Sequence, residues 1–266
     1  MAEIISIATH NPMSVRPTDQ LSEAIEKMAK NGFRRLPVVF EDALVGILTA
    51  TDVLKVLSSG ETKLLTEELH NFMTNDPIVI NRDAKISEAV QTMFQHGLGS
   101  LPIVTKNMQL SGIVTERDLV KAFAGSFADA ELEEFLKLNP ITLPYATTTV
   151  KKVIDTMVSE DVRRIVLVEK DNKVKGIITS TDMMRFFMDK IVRVGSVAND
   201  VFKTKAKDIC KTNVKSVTIN TSVADIAKIL STEGMGGIPV INDDNELLGV
   251  FTESDLLQIV GMYNLM

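Results

Sequence analysis

The chain has one cysteine in 266 residues, Cys210, so no internal disulfide and no cysteine-rich metal site can organise it. That thiol is expected to act as a small buried apolar residue. The three histidines, His10, His70 and His96, show no paired ligand spacing, and no zinc site is expected. An excess of positive charge is missing too. The net charge is −6 and the pI about 5.2, unlike a general nucleic-acid binder with its basic face. No apolar run approaches the roughly 18 residues of a membrane span, and MAEIISIATHNP lacks the charged-then-apolar order of a secretion signal. These absences point to a cytoplasmic chain with neither a membrane nor a nucleic acid as partner. At 45% apolar and 24% charged residues, its composition is that of a globular protein long enough to bury a core.

What the chain does have is repetition. GILTATD stands at 46–52, GIVTERD at 112–118, GIITSTD at 176–182 and GVFTESD at 249–255. Each copy is a glycine, two apolar residues, a threonine, two variable residues and an aspartate. The aspartates recur at intervals of 66, 64 and 73 residues, so repeats of nearly constant length are expected, with the extra residues of the last interval falling between Phe186 and Ala206.

The surroundings repeat as well. A turn (Asn11-Pro12, Asp76-Pro77, Asn139-Pro140) leads into a short extended piece, and in the fourth copy this piece is 214–217. A helix follows whose apolar face is Leu21, Ala24, Ile25, Met28 and Ala29 in the first copy. The later faces are Ile86, Ala89, Val90, Met93; Val150, Val153, Ile154, Met157; and Val223, Ile226, Ala227, Leu230. Thr18, Asp83, Thr147 and Asn220, at one offset, are read as helix caps. Next comes an apolar-proline strand, with Val166 replacing proline in the third copy. A second strand then ends in the motif, and the motif opens a second helix. Units of this size are marginal alone, so pairing of one with two and three with four is expected, with 124–137 as the connector.

These residues resemble the cystathionine β-synthase (CBS) domain family in four tandem copies with no catalytic domain attached. The arrangement is similar to the gamma subunits of AMP-activated protein kinase and to stand-alone prokaryotic CBS-domain proteins. The resemblance implies an α+β fold of four β-α-β-β-α repeats, at 1–62, 68–126, 133–192 and 205–266. It implies that these pair into two Bateman modules, 1–126 and 133–266, forming a compact pseudo-symmetric disc whose clefts take adenine nucleotides. No enzyme activity and no catalytic cofactor are implied. The implied ligand is AMP, ADP or ATP, with a protein partner that receives the signal, and there is room for a homodimer.

The motif's chemistry fits that implication. A carboxylate one turn into a helix can accept hydrogen bonds from both hydroxyls of a ribose. A threonine at the helix N-terminus lies where backbone N–H groups favour an oxyanion. The resemblance places Asp52, Asp118, Asp182 and Asp255 on ribose and Thr49, Thr115, Thr179 and Thr252 at the ribose-phosphate end. The same letters also spell a capped helix start, so part of the pattern belongs to folding.

Just before the apolar pair, Arg34-Arg35 and Arg163-Arg164 face Gly99-Ser100 and Gly236-Gly237 in the other two copies. By resemblance such cations contact phosphates, where arginine's planar fork bonds oxygens in pairs. Arg35 and Arg164 are preferred over Arg34 and Arg163. Arg117 and Lys121 could add charge, although a helix-surface role suits them better. Leu36, Leu101, Ile165 and Ile238 are candidates for an adenine slot and serve equally well as core. Two readings compete with a nucleotide sensor: a ligand-independent scaffold, and a sensor of S-adenosylmethionine-type ligands, to which paired arginines offer nothing.

Overall fold

Apolar residues at three- and four-residue offsets give each repeat its helices, and β-branched runs between turns give it a hairpin. The computed structural model describes residues 2–123, 125, 127, 130–193 and 198–262. Ala124, Ser126, Ala128 and Asp129 of the expected connector, the termini Met1 and 263–266, and 194–197 between repeats three and four lie outside the described residues.

Repeat one comprises β1 (Thr9–His10), α1 (Leu21–Asn31), β2 (Arg35–Phe40), β3 (Ala43–Thr49) and α2 (Ala50–Ser59). Repeat two comprises β4 (Thr74–Asn75), β5 (Ile80–Asn81), α3 (Ile86–His96), β6 (Ser100–Val104), β7 (Leu110–Thr115) and α4 (Glu116–Ala122), after which comes the short α5 (Leu132–Phe135). Repeat three has β8 (Thr142–Pro144), α6 (Val150–Ser159), β9 (Arg164–Val168), β10 (Val174–Thr179) and α7 (Ser180–Phe187), followed by α8 (Ala198–Lys203). Repeat four has β11 (Val217–Thr218), α9 (Val223–Glu233), β12 (Gly237–Ile241), β13 (Leu247–Thr252) and α10 (Glu253–Met262).

The expected helix faces are buried, apart from the half-buried Ile86. The caps differ from expectation. They fall two residues later, at Gln20, Lys85, Thr149 and Ser222, and of these only Thr149 and Ser222 accept a side-chain bond from the third helical N–H. Thr18, Asp83, Thr147 and Asn220 belong to the turns before the helices, where an Asx residue bonds locally just as well, as Asp19 does to Arg16 N–H at 3.0 Å.

Each hairpin is antiparallel and carries a bulge just before its motif glycine, at Val45, Ser111, Lys175 and Leu248. In three repeats the parallel opening piece pairs from the residue after the strand proline: Val15 with Val38, Ile80 with Ile103, Val217 with Val240. In the third, where Val166 restores an N–H, pairing begins one residue earlier, at Thr142 with Val166.

Neighbouring repeats exchange edge strands. β1, which opens repeat one, pairs with β7 of repeat two, and β4, which opens repeat two, pairs with β3 of repeat one. Leu138 bridges Gly249 and Lys211 bridges Ile177 in the same way between repeats three and four. The helix faces, however, are shared by alternate repeats rather than by neighbours. One compact unit comprises 13–77 and 141–214, with repeats one and three around a common core. The other comprises 1–12, 78–140 and 215–266, with repeats two and four. A helix stripe demands burial but does not name its partner, so the stripe alone leaves open which repeat covers it. Nor is the described part of the connector a solvated link. Phe127, Leu132 and Leu136 are buried in the core of the second unit. Among the described residues no helix is long and apolar enough to cross a membrane.

Candidate functional site

The motif ends have nearly the same local geometry four times. Thr49, Thr115, Thr179 and Thr252 leave their strands in extended conformation and cap the following helix. In each, one carboxylate oxygen, Oδ2 of the aspartate, accepts from the threonine N–H at 2.8–2.9 Å and from its hydroxyl at 2.6–2.7 Å. In repeats one, three and four the hydroxyl oxygen accepts in return from the aspartate N–H at 3.3–3.4 Å. The first helical N–H is taken as well. Ala50, Glu116, Ser180 and Glu253 donate to the carbonyls of Arg34, Gly99, Arg163 and Gly236. The threonine hydroxyl proton and Oδ2 are therefore spent on folding, and what each motif can offer a ligand is Oδ1.

The four Oδ1 atoms differ. At Asp182 and Asp255 a lysine has reached them: Lys211 Nζ lies 3.5 Å from Asp182 Oδ1 and Lys137 Nζ 3.3 Å from Asp255 Oδ1. Asp255 is only 2% exposed, and its Oδ1 has no hydrogen-bond partner among the described residues; the lysine is an ion-pair neighbour without hydrogen-bond alignment. At Asp52 and Asp118 no lysine stands in this position among the described residues.

Strand register places the expected cations. Arg35 lies directly across from Thr49 and Arg164 across from Thr179, so each shares a face with its motif threonine. The same position holds Ser100 opposite Thr115 and Gly237 opposite Thr252. Arg34 and Arg163, one residue earlier and just outside the strands, lend their carbonyls to the helix starts. Leu36, Leu101, Ile165 and Ile238 have no exposed surface and pack inside the two cores, so they have none to offer a base. Arg117 is committed elsewhere: it donates from Nε to Glu253 at 2.9 Å and from Nη2 to the Gly234 carbonyl at 2.6 Å.

Two features escaped the sequence reading. The first is the buried pair Glu116 and Glu253 beside the motif threonines, Glu116 accepting from the Ser254 hydroxyl at 2.5 Å. The second is the pair of lysines. Their signal was present in the lead-ins THNP, TNDP, KLNP and KTNV, which align Thr9, Thr74, Lys137 and Lys211.

Cys210 sits where an added Cβ on the motif Gly176 would meet its sulfur, and burial pushes its thiol above the ordinary range. A disulfide reagent at neutral pH is expected to label it slowly in the folded chain and fast in denaturant. Equal rates would show that the thiol is not shielded. No group of three or more His, Cys, Asp or Glu suited to a metal occurs among the described residues.

The family model described as "CBS domain" matches residues 3–59, 67–125, 132–189 and 206–261. The uncharacterized protein MJ1225 of Methanocaldococcus jannaschii is 28% identical over 92% of this chain and 94% of its own. Its crystal structure, presented as that of a candidate archaeal homolog of g-AMPK, superposes with a TM-score of 0.88 at 26% identity, covering 97% of this chain and 99% of that one. An inosine-5'-monophosphate dehydrogenase of the same organism is 27% identical over 92% of this chain but only 47% of its own length. The four motif ends, their exchanged strands and the four matched segments make this chain a member of the CBS domain family.

Proposed function

We propose that the chain is a non-catalytic regulatory protein that binds AMP, ADP or ATP at its motif ends and reports their level to a protein partner. The observation that carries this reading is Asp255 Oδ1, a buried carboxylate oxygen with no hydrogen-bond partner among the described residues. Such an oxygen is costly unless something donates to it, and a vicinal diol supplies two donors. Arg35 and Arg164, on the faces of Thr49 and Thr179, supply fixed positive charge suited to phosphate. The exchanged strands support assigning the functional pairs to neighbours, 1–126 and 133–266.

The competing reading, a ligand-independent scaffold, draws on the capping boxes, which explain threonine and Oδ2 without any ligand. Calorimetry of the whole chain against AMP, ADP, ATP, S-adenosylmethionine and NADH separates the two. Heats with the adenine nucleotides are expected. No binding by any of the five at millimolar concentration leaves the scaffold, and binding of S-adenosylmethionine alone changes the ligand class. Arg35→Ala and Arg164→Ala should each weaken ATP by about 1.5–2 kcal/mol while sparing adenosine, the cost of a charge-assisted contact. Equal losses for both ligands would mean the arginines serve only the fold.

A further inference from the structure

The lead-in of each repeat lies over the motif strand of its exchange partner, and one aligned position on it differs between the two pairs of repeats. For repeats one and two that residue is Thr9 or Thr74, paired with Ile113 and Ile47, the residues just after the motif glycines. For repeats three and four the aligned residues are Lys137 and Lys211, and Lys211 pairs with Ile177 in the same register. Both lysines are exposed, at 75% and 63% of the side chain, yet both are turned onto a largely buried carboxylate, 3% and 11% exposed. Two separate lysines, on the lead-ins of different units, meet Oδ1 of the motif aspartate, the one atom the capping box leaves free.

We propose that Lys137 and Lys211 are phosphate-selecting residues for the motif ends at Asp255 and Asp182. In the free chain each lysine offsets the charge of Oδ1. When a ribose hydroxyl donates to that oxygen, the lysine leaves it, and its flexible four-carbon stem carries the ammonium to the 5'-phosphate of the same nucleotide. An uncharged nucleoside displaces the lysine and gives it nothing in return. A nucleotide exchanges one anionic partner for another. The lysine end of each pair is solvated and the ribose hydroxyl takes its place on the buried oxygen, whereas the new phosphate contact is charge-assisted, so the balance favours phosphorylated ligands. The motif ends at Asp52 and Asp118, with threonine at the aligned position, lack this selection from the lead-in strand.

This inference rests on adenosine-type binding, and the test separates the two. Adenosine and AMP are titrated calorimetrically into the full chain and into Lys137→Thr/Lys211→Thr, which carries at both positions the residue already present at 9 and 74. The intact chain is expected to bind more equivalents of AMP than of adenosine. In the variant, AMP should bind roughly tenfold more weakly at two of its sites, the effect of one charge-assisted contact, while adenosine binds no worse. Lys137→Arg/Lys211→Arg should keep the preference for AMP. If AMP binds the threonine variant as it binds the intact chain, the lysines are surface ion pairs and the selection is overturned while adenosine-type binding stands. If adenosine and AMP weaken together, the lysines hold the strand and not the phosphate, which also overturns it. If neither ligand binds either protein, both readings fall.

Discussion

Replacing Arg117 with alanine is expected to destabilise the unit built from repeats two and four by about 3 kcal/mol. The guanidinium holds two groups of repeat four at once. Its Nε donates to Glu253, which is 1% exposed, and its Nη2 donates to the Gly234 carbonyl just beyond α9. Gly234 takes the left-handed conformation that ends this helix, so the cation also sits at the negative pole of α9. Truncation takes the guanidinium away from a buried carboxylate, and removing one partner of a buried pair is what makes such pairs costly to break. The estimate is at the low end because a third of the arginine side chain meets solvent. Lysine at 117 should recover only part of the loss, since an ammonium cannot span a carboxylate and a carbonyl as a fork does. Arg117→Met with Glu253→Leu should be less destabilised than Arg117→Ala alone, because an apolar pair leaves no charge behind. Urea denaturation followed by circular dichroism gives the comparison. A loss within about 0.5 kcal/mol of wild type, the range of an ordinary surface substitution, would show that the pair does not lock the repeats together.

Repeat two's arginine at this place has no counterpart in the other motifs, where Thr51, Thr181 and Ser254 stand. In the unit of repeats one and three the analogous contact comes from further along the helix, with Arg185 Nε donating to the Ala29 carbonyl at the end of α1 at 2.9 Å. Both units thus have an arginine from a second helix that closes the C-terminal end of a first helix two repeats away. A sequence position cannot announce this, because the partner is a backbone carbonyl 117 or 156 residues distant.

The parts of the fold that were legible are those governed by local periodicity. The three- and four-residue spacing of Leu21, Ala24, Ile25 and Met28 names a buried face whatever covers it, and those residues are buried. The two-residue turn Glu41-Asp42 joins β2 to β3 with both residues at positive φ, as a tight hairpin requires. Partner choice was not legible. The helix stripes of repeats one and two are chemically alike, so nothing in either predicts that each would be covered by a repeat farther along the chain. At the motif ends, the first duty of threonine and aspartate is to each other. The distinction between Oδ2, used by the cap, and Oδ1, left over, exists only in three dimensions. Register puts Arg35 and Arg164 across from the motif threonines, a distinction that the doubled arginines do not show in sequence. The adenine slot was not legible, because an apolar residue beside a proline reads the same whether it lines a cleft or fills a core.

The glycine that opens the motif leads to the second large effect: Gly249→Ala is expected to cost about 3 kcal/mol, the upper end of what overpacking usually costs. None of the four motif glycines has a positive φ, so backbone freedom is not why they are glycine. The reason is the exchanged strand lying over them. A Cβ on Gly249 would stand 2.5 Å and 2.7 Å from Leu136 Cδ1 and Cγ and 2.8 Å from the Lys137 carbonyl oxygen. Leu136 is buried, so its side chain has little room to turn away, while the carbonyl belongs to the lead-in chain itself. Gly176 meets a softer neighbour. Its Cβ would stand 2.6 Å from Cys210 Sγ but 3.4 Å from the Lys211 carbonyl, so a side-chain rotation relieves most of the clash. Gly176→Ala should therefore cost about 1 kcal/mol, well under its counterpart, since side chains yield more cheaply than backbone. Equal costs at the two positions would mean that strand approach is not what excludes a side chain. The Gly249 variant has a second consequence. A lead-in chain pushed off the motif strand carries Lys137 away from Asp255, so the preference for AMP over adenosine should weaken at that motif end while the Gly176 variant keeps its own.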